Sequence, residues 1–342
     1  MLSVLLPPTM QQGQSKIMPD SSLVKVGVLT CERYVHIKGI WGPIIDPHGE
    51  LKFRNTQTRM TGMVMTHVWD MDREGAEDFA RQYKGVEVVD NYWDMVGKVD
   101  GIILSDLDSC IHFKELTKPY LEAGVPIFIN RPFALNLQDA QDMIDLAKKH
   151  DTPIMSGSSF EYAPEVEQIK NQVEAAKPIA GFAATNSMSD YPSHGIHGLF
   201  FVYACIGGGI KSVAYQTPDW HRPNGLVTIE YEPRGDGKPF YGSVQEISGT
   251  WAWIRVFGSR SFEQFLHSGI HFWVPLLLEM QKMFETRVMP EPYEAIYEKT
   301  QMFLAGFKSH VECGGAPVEL EAVGDWTAPL LNPDPYPEGY FG

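Results

Sequence analysis

Short apolar runs alternate with amphipathic segments along the first half of the chain. Segments with helical periodicity cover residues 72–80, 113–123 and 136–150, the last with Asn136 as its predicted cap. Strands that alternate with helices indicate βαβ units, and the handedness of such units makes the expected fold Rossmann-like. The runs with the length and composition of buried strands are Val24–Leu29, Met63–Asp70, Gly101–Ser105, Gly124–Ile129 and Pro153–Ser156.

From residue 158 onwards the pattern changes. Segments with strand character cover residues 180–184, 212–215, 226–231, 242–247 and 250–257, and helical patterns cover 161–176, 196–206, 272–284 and 293–313. The spacing of these strands favours a large, mainly antiparallel sheet. The sequence therefore predicts an α/β fold: a Rossmann-like doubly wound parallel sheet over residues 22–157, and a C-terminal α+β domain over residues 158–342 for substrate and oligomer contacts. Residues 1–21 are predicted to form a flexible arm.

Composition narrows the class of protein. The chain has 342 residues, enough for two domains, and a formal net charge of −15. Such an acidic chain is unsuited to nucleic acid or to an anionic membrane surface, because both attract basic proteins. The four scattered cysteines fit neither a metal site nor a disulfide scaffold, which favours a reduced, cytoplasmic setting. No apolar run approaches the ~20 residues of a membrane helix, and the start lacks the basic lead of a signal peptide.

A polar pair, Asn130-Arg131, follows the strand that ends near Ile129, and Pro132 comes next. Polar side chains at the carboxyl end of a strand lie where open α/β sheets bind ligands. The stretch Gly124–Ala134 resembles the strand and "Glu-Lys-Pro" turn of the Gfo/Idh/MocA family of sugar oxidoreductases, and the resemblance covers about residues 22–320. It implies an enzyme that binds NAD(P) in its first domain and acts on a carbohydrate.

In that family the lysine of the turn acts on the substrate beside the nicotinamide, and here Arg131 stands in its place. Arginine keeps the positive charge, but its pKa is too high for ready proton donation. It can clamp a carboxylate or a developing oxyanion with two hydrogen bonds. The substitution therefore favours a site that holds an acidic sugar or stabilises an enolate over one for plain alcohol oxidation.

The segment Ser193-His194-Gly195-Ile196-His197 precedes an apolar helix and three glycines, and it resembles the family's "Asp-x-Gly-x-His" helix. In the family the histidine exchanges a proton with a sugar hydroxyl and the aspartate orients it. The resemblance places His197 at the histidine position and Ser193 at the aspartate position. His197, Arg131 and the additional His194 are accordingly the predicted catalytic residues, since an imidazole titrates near working pH.

A dinucleotide site needs a glycine-rich first turn, in which small residues let the backbone approach the pyrophosphate. Here the turn over residues 30–36 contains no glycine, which is evidence against an ordinary NAD(P) site. The strand ends around it still offer contacts, because an acid such as Asp70 can accept both ribose hydroxyls of NAD. The predicted cofactor is therefore NAD, with contacts from Thr30, Arg33, Asp70, Ser105, Asp108 and Asn130.

Three functions remain open. The first is a divergent NAD(H)-dependent oxidoreductase of a sugar, a sugar acid or a related polyol. The second is a lyase, hydratase or hydrolase of a keto-sugar or uronate, in which His194 and His197 abstract a proton next to a carbonyl. The third is a non-catalytic binding or regulatory relative.

No metal ligand is assigned from the sequence, but the second function admits a divalent metal. His194 and His197 are three residues apart and could share one helical face, with further ligands from His221, Glu161 or His271. The family resemblance also implies a homodimer or homotetramer formed through the broad face of the second sheet.

Overall fold

The computed structural model describes residues 23–30, 36–46, 60, 62–186, 190–221, 224–235, 238–247, 252–266, 273–330, 336 and 340. The predicted N-terminal arm lies outside these residues. The first sheet has six parallel strands in the order β3-β2-β1-β4-β5-β6, which is that of dinucleotide-binding folds. Its strands are β1 (Val24–Leu29), β2 (Met63–Trp69), β3 (Glu87–Val88), β4 (Gly101–Leu104), β5 (Ile127–Asn130) and β6 (Ile154–Gly157).

Two core layers cover this sheet, because successive side chains of a strand point to opposite faces. The helices on the first domain are α1 (Gly42–Ile45), α2 (Arg73–Gln82), α3 (Phe113–Glu122) and α4 (Leu137–Lys149). The side chain of Asn136 accepts a hydrogen bond from the backbone N–H of Asp139 at 2.7 Å, which confirms the predicted cap of α4. The predicted Rossmann-like fold is thus confirmed.

A helix from the C-terminal part of the chain completes one of these layers. Helix α7 (Trp273–Thr286) packs on the face that presents Val26 and Val28, and its buried Leu277 and Phe284 belong to the same apolar cluster. The ring of Phe284 lies so close to Gly101 that a Cβ there would clash with it. Glycine at this position therefore lets the helix approach the sheet.

The second sheet has seven strands in the order β12-β11-β7-β10-β9-β8-β13, and the β7–β10 pair alone is parallel among its described pairs. The predicted, mainly antiparallel sheet is confirmed. Its strands are β7 (Ile179–Asn186), β8 (Ile210–Gln216), β9 (Leu226–Arg234), β10 (Lys238–Glu246), β11 (Trp253–Gly258), β12 (Phe262–Phe265) and β13 (Val318–Glu319).

Helices α5 (Pro164–Ala176), α6 (Ile196–Ile206) and α8 (Tyr293–Val311) pack beside this sheet. Helix α6 is buried along most of its length and ends at Gly207, whose φ of 90° is a left-handed conformation that favours glycine. The start of α6 therefore lies at a fixed point near the carboxyl edge of the first sheet. No helix in the described part of the chain has the length and apolar character needed to span a membrane.

Candidate active site

Asn130 braces the ends of two neighbouring strands of the first sheet. Its side-chain N–H donates to the carbonyl of Ser105 at 2.8 Å, and its Oδ1 accepts from the backbone N–H of Arg131 at 3.1 Å. The residue is only 1% exposed. The geometry makes it a support that fixes where Arg131 leaves β5, and its predicted contact with a cofactor stays a prediction.

Arg131 connects this edge to the start of helix α6. Its Nη2 donates to the carbonyl of Ser193 at 3.0 Å and lies 3.3 Å from Nε2 of His197. The side chain is buried, so its charge acts in a poorly solvated place. The guanidinium is thus held in a set position between the two sheets.

His197 has hydrogen-bond partners at both ring nitrogens. Nδ1 lies 2.5 Å from Oγ of Ser158, and Nε2 faces the Arg131 guanidinium, which can only donate. Nε2 is therefore the acceptor and the proton lies on Nδ1. Burial, followed by the charges of Arg131 and His194, lowers the pKa of His197 well below its usual range. A neutral imidazole with a partner at each ring nitrogen therefore lies beside Arg131, and the proton transfer assigned to His197 from the sequence stays a prediction.

His194 differs from His197 in being partly exposed and in lying next to a carboxylate. Its side chain is 42% exposed, and its Nδ1 lies 3.0 Å from Oδ2 of Asp190, one helical turn earlier. Burial alone would raise the pKa of Asp190, but hydrogen bonds from His194 and Ser193 outweigh it and lower this pKa to about 2. The carboxylate is therefore ionised at neutral pH and orients the imidazole.

An aspartate is thus paired with a histidine here, but the histidine is His194 and not His197. Ser193 stands four residues before His197, at the position that the resemblance assigns to the aspartate. Counting four back from His194 reaches Asp190, in the order Asp190-Tyr191-Pro192-Ser193-His194. The signal was in the sequence, in the spacing to the first of the two histidines.

His36 is a site residue that sequence reasoning missed. Its Nδ1 lies 3.4 Å from Nδ2 of Asn130, and its ring stacks on Trp41 with centroids 5.1 Å apart. Burial and the charges of Arg131 and His194 lower the pKa of His36 well below its usual range. His36 ends the glycine-free turn, and no local pattern marks it as a site residue because its contact with Asn130 spans 94 positions.

Thr30 and Ser105 join the ends of β1 and β4. Oγ of Ser105 donates to the carbonyl of Thr30 at 2.7 Å, and Oγ1 of Thr30 accepts from the backbone of Asp106 at 3.2 Å. Both residues are buried and stabilise the turn, and their predicted contacts with a cofactor stay predictions. The backbone φ of Thr30 is 54°, so the chain turns sharply after β1 without a glycine. Arg33 lies outside the described residues.

A pocket of about 460 Å³ opens between the carboxyl ends of β2 and β4. Asp70 and Asp108, both predicted cofactor contacts, border it, and Asp70 Oδ1 also accepts from the backbone N–H of Asp72 at 2.7 Å. Lys38 is the one cation among its described lining residues. The carboxylates of the lining are those of Asp70, Asp72, Glu74, Asp78, Asp106 and Asp108.

These residues fit the adenosine half of a dinucleotide. Ribose hydroxyls can donate to the carboxylate of Asp70, and the volume is within the range of ligand pockets. So many carboxylates repel an additional phosphate, which disfavours the 2′-phosphate of NADP. The turn that would meet the pyrophosphate, residues 31–35, lies outside the described residues.

The ligand set considered for a metal is not assembled among the described residues, where no three His, Cys, Asp or Glu side chains are placed to hold one ion. Glu161 instead binds the buried ammonium of Lys299 at 2.6 Å, and His221 contacts Asp219. His271 lies outside the described part of the chain.

Comparison with protein families identifies the first domain. Residues 39–158 match the family described as the Gfo/Idh/MocA oxidoreductase family with an NAD-binding Rossmann fold, which confirms the resemblance read from the sequence. A curated relative, an uncharacterized protein of Saccharomyces cerevisiae, is 20% identical over 172 residues, or 43% of this chain and 49% of its own length. A Salmonella typhimurium relative is 23% identical over 119 residues, 35% of this chain and 38% of its own length. The chain thus matches half or less of the length of these relatives.

Solved structures share the whole fold. The myo-inositol dehydrogenase of Lactobacillus casei, crystallised with NAD(H) and myo-inositol, has a TM-score of 0.69 at 15% identity, over 87% of this chain and 96% of that one. The scyllo-inositol dehydrogenase of the same organism, crystallised with NAD(H) and scyllo-inositol, has a TM-score of 0.67 at 12% identity, over 87% and 99%. At these identities the likeness shows the fold.

Proposed function

We propose that this chain, whose first domain belongs to the Gfo/Idh/MocA oxidoreductases, is an NAD(H)-dependent oxidoreductase of a sugar, a sugar acid or a related polyol. The observation that supports it most is the His194–Asp190 pair, which sets a half-exposed imidazole and a carboxylate at the carboxyl edge of the Rossmann sheet. The inositol dehydrogenases of similar fold act on cyclic polyols, which supports the substrate class.

In this proposal His194 takes the proton of the substrate hydroxyl during oxidation and returns it during reduction. Asp190 holds Nδ1, so the hydroxyl meets Nε2. The imidazolium that forms is stabilised by the carboxylate of Asp190, which stays ionised. A positioned acid/base of this kind typically contributes about 10²–10⁴-fold to a rate.

Arg131 contributes charge without moving a proton. Its guanidinium, held by the carbonyl of Ser193 and by His197, stabilises the oxyanion that develops as the hydroxyl loses its proton. When bound, the nicotinamide accepts a hydride from the carbon that bears this hydroxyl. A carboxylate on the substrate would also be attracted to Arg131, so sugar acids are the favoured members of the class.

The test is a turnover assay with NAD⁺ against inositols, aldoses and uronates, followed by NADH fluorescence. We expect turnover by the wild type and a loss of about 10²-fold or more in kcat for His194→Ala. His310→Ala, in the last turn of α8, is the matched control and should keep wild-type activity. Absence of NAD(H) binding by the wild type would overturn the proposal.

The same pair supports a second candidate function. An imidazole beside a fixed guanidinium can abstract a proton next to a carbonyl, and Arg131 would stabilise the enolate. This lyase or hydratase function needs no nucleotide. Consumption of a keto-sugar or uronate without NAD(H), lost in His194→Ala, would favour it over the first.

We further propose that the exposed face of the second sheet forms a homodimer or homotetramer. Tyr241, Phe257 and Phe265 are 59%, 39% and 54% exposed on strands β10, β11 and β12. Large apolar side chains exposed together mark interaction surfaces.

We also propose a cytoplasmic setting, because the described cysteines Cys110, Cys205 and Cys313 are free thiols.

A further inference from the structure

The C-terminal segment, of which residues 328–330, 336 and 340 are described, contacts the first domain. The backbone N–H of Ala328 donates to the carbonyl of Leu135 at 2.8 Å, and the buried Ala328 and partly buried Leu330 pack on the same apolar cluster. Further along, Tyr336 is 6% exposed, and its ring meets that of His112 edge-on with centroids 4.8 Å apart. A residue about 230 positions beyond the end of β4 is therefore buried against the loop and helix that follow this strand.

Tyr336 borders the acidic pocket between β2 and β4. It shares the lining with Asp70 at the end of β2 and with Ser109 in the loop after β4. Of the described residues that line this pocket, Tyr336 is the one aromatic residue. The strand ends, the loops after them and helix α2 provide the carboxylates, and Tyr336 provides the ring.

The chemistry of this lining selects an uncharged, flat ligand with hydroxyl donors. Among the described lining residues, six carboxylates against the one cation Lys38 repel phosphate groups but accept hydrogen bonds from ribose hydroxyls. An aromatic side chain stabilises a nucleobase through stacking or edge contacts, whichever base it is. Adenosine combines both features, and the acid at the end of β2 is where folds of this type bind the adenosine ribose.

We propose that Tyr336 is a binding residue for the adenosine half of the dinucleotide, so that the C-terminal segment forms one wall of the cofactor site. This inference rests on the proposed function, because it assumes that NAD(H) is the ligand. The strands β1 to β6 alone then leave the adenosine pocket incomplete. Tyr336 is then needed for full affinity even though it lies near the opposite end of the chain from the strands of the Rossmann sheet.

The experiment is calorimetric titration of the full chain with NAD⁺, ADP-ribose and nicotinamide mononucleotide. Tyr336→Ala should weaken NAD⁺ and ADP-ribose by roughly tenfold, as expected for one lost base–aromatic contact, and leave the mononucleotide within twofold. Tyr336→Phe should keep wild-type affinity, and Tyr336→Leu, which keeps apolar bulk without a ring, should behave like the alanine variant. Tyr340→Ala is the matched control. The ring centroids of Tyr340 and Tyr336 are 5.5 Å apart, but Tyr340 is not among the described residues that line the pocket.

The outcomes separate this inference from the function on which it rests. Wild-type binding of NAD⁺ with unchanged affinity in Tyr336→Ala and Tyr336→Leu would overturn the inference and leave the proposed function intact. Tighter binding in these variants would overturn it too, because the ring would then obstruct the pocket. If the wild type binds none of the three ligands, the proposed function fails first. Thermal melting of each variant checks folding, and Tyr336→Leu provides the comparison if the alanine variant does not fold.

Discussion

The Nδ1 atom of His194 lies 3.0 Å from the Oδ2 atom of Asp190, one helical turn earlier in the chain. Asp190 caps the turn that contains His194, and its carboxylate also accepts from the backbone N–H of Ser193 at 2.7 Å, so the contact is local. It orients the imidazole of His194, to which the proposed function assigns the proton transfer. In His197, three residues later, Nδ1 contacts Ser158 and Nε2 contacts Arg131.

The first prediction concerns this pair. Asp190→Asn removes the charge that stabilises the imidazolium, so kcat should fall by about 10²-fold while KM changes little. Steady-state kinetics with the best substrate found for the wild type measures both constants. An Asp190→Asn enzyme with wild-type kcat would show that the carboxylate has only a capping role for the turn that it precedes.

A second prediction uses the low pKa of Asp190. Its folded pKa of about 2 is below the ordinary 3.8, so the stabilisation is present above pH 3.8 and is lost as pH falls towards 2. The difference in unfolding free energy between wild type and Asp190→Asn should therefore be of the order of 2 kcal/mol larger at pH 5 than near pH 2. Denaturant titrations at both pH values measure it. A difference that does not change with pH would contradict the cause given for this pKa.

His197 should act on binding and not on proton transfer. A glutamine there can offer a carbonyl oxygen where Nε2 accepts from Arg131, so His197→Gln should raise KM modestly and leave the pH profile of kcat in place. His197→Ala removes the acceptor and should raise KM further. Loss of the pH-dependent limb of kcat in His197→Gln, with His194 intact, would restore His197 to the catalytic role.

Glu246 should make the fold less stable as pH rises. The residue is 1% exposed, and burial raises the pKa of its carboxyl group to about 7. The charge of Asp190 also raises this pKa, whereas the hydrogen bond that Tyr215 donates to Oε2 at 2.8 Å lowers it in part. A raised pKa means that the stabilisation is complete below the unfolded value of 4.5 and is lost as pH rises through about 7.

Glu246→Gln should therefore gain stability relative to the wild type as pH rises. The gain between pH 4.5 and pH 8 should be about 3 kcal/mol. Denaturant unfolding at both pH values measures it, and glutamine keeps the shape of the side chain beside Gly195, where a Cβ would clash with Oε1. Parallel pH curves for the two proteins would show that Glu246 is ionised in the fold throughout this range.

The last prediction concerns assembly. Tyr241→Arg places a charge in the exposed face of the second sheet and should shift the protein from oligomer to monomer in sedimentation velocity. Trp93→Arg is the matched control, because Trp93 is 48% exposed on the first domain. A monomeric wild type, or an oligomer that tolerates Tyr241→Arg, would contradict the proposed interface.

The regular elements could be predicted closely because their signals are local. The apolar run of α6 and the glycine after it set both of its ends, and Asn136 marks the start of α4. Strands β3 and β13 have two residues each, so they show no periodicity and were missed. Strand β12 has exposed or half-exposed residues throughout, so it lacks the alternation of a strand with one buried face.

The candidate site was harder to predict, because its residues are joined by contacts between distant segments. His36 meets Asn130 across 94 positions, and Ser158 meets His197 across 39. Such pairings depend on which strand ends become neighbours, and one sequence does not specify that at the level of side chains. Arg131 was located correctly as a polar residue at a strand end, but its partners became evident only with the fold.

Helix α7 has a consequence for how this protein could be divided. It comes from beyond residue 270, yet Leu277 and Phe284 cover one face of the parallel sheet against Val26 and Gly101. A fragment that stops at residue 157 would leave these apolar strands open to water and to self-association. The nucleotide-binding half is therefore not a transferable cassette: exchange between relatives, in evolution or in the laboratory, must move helix α7 together with the strands that it shields.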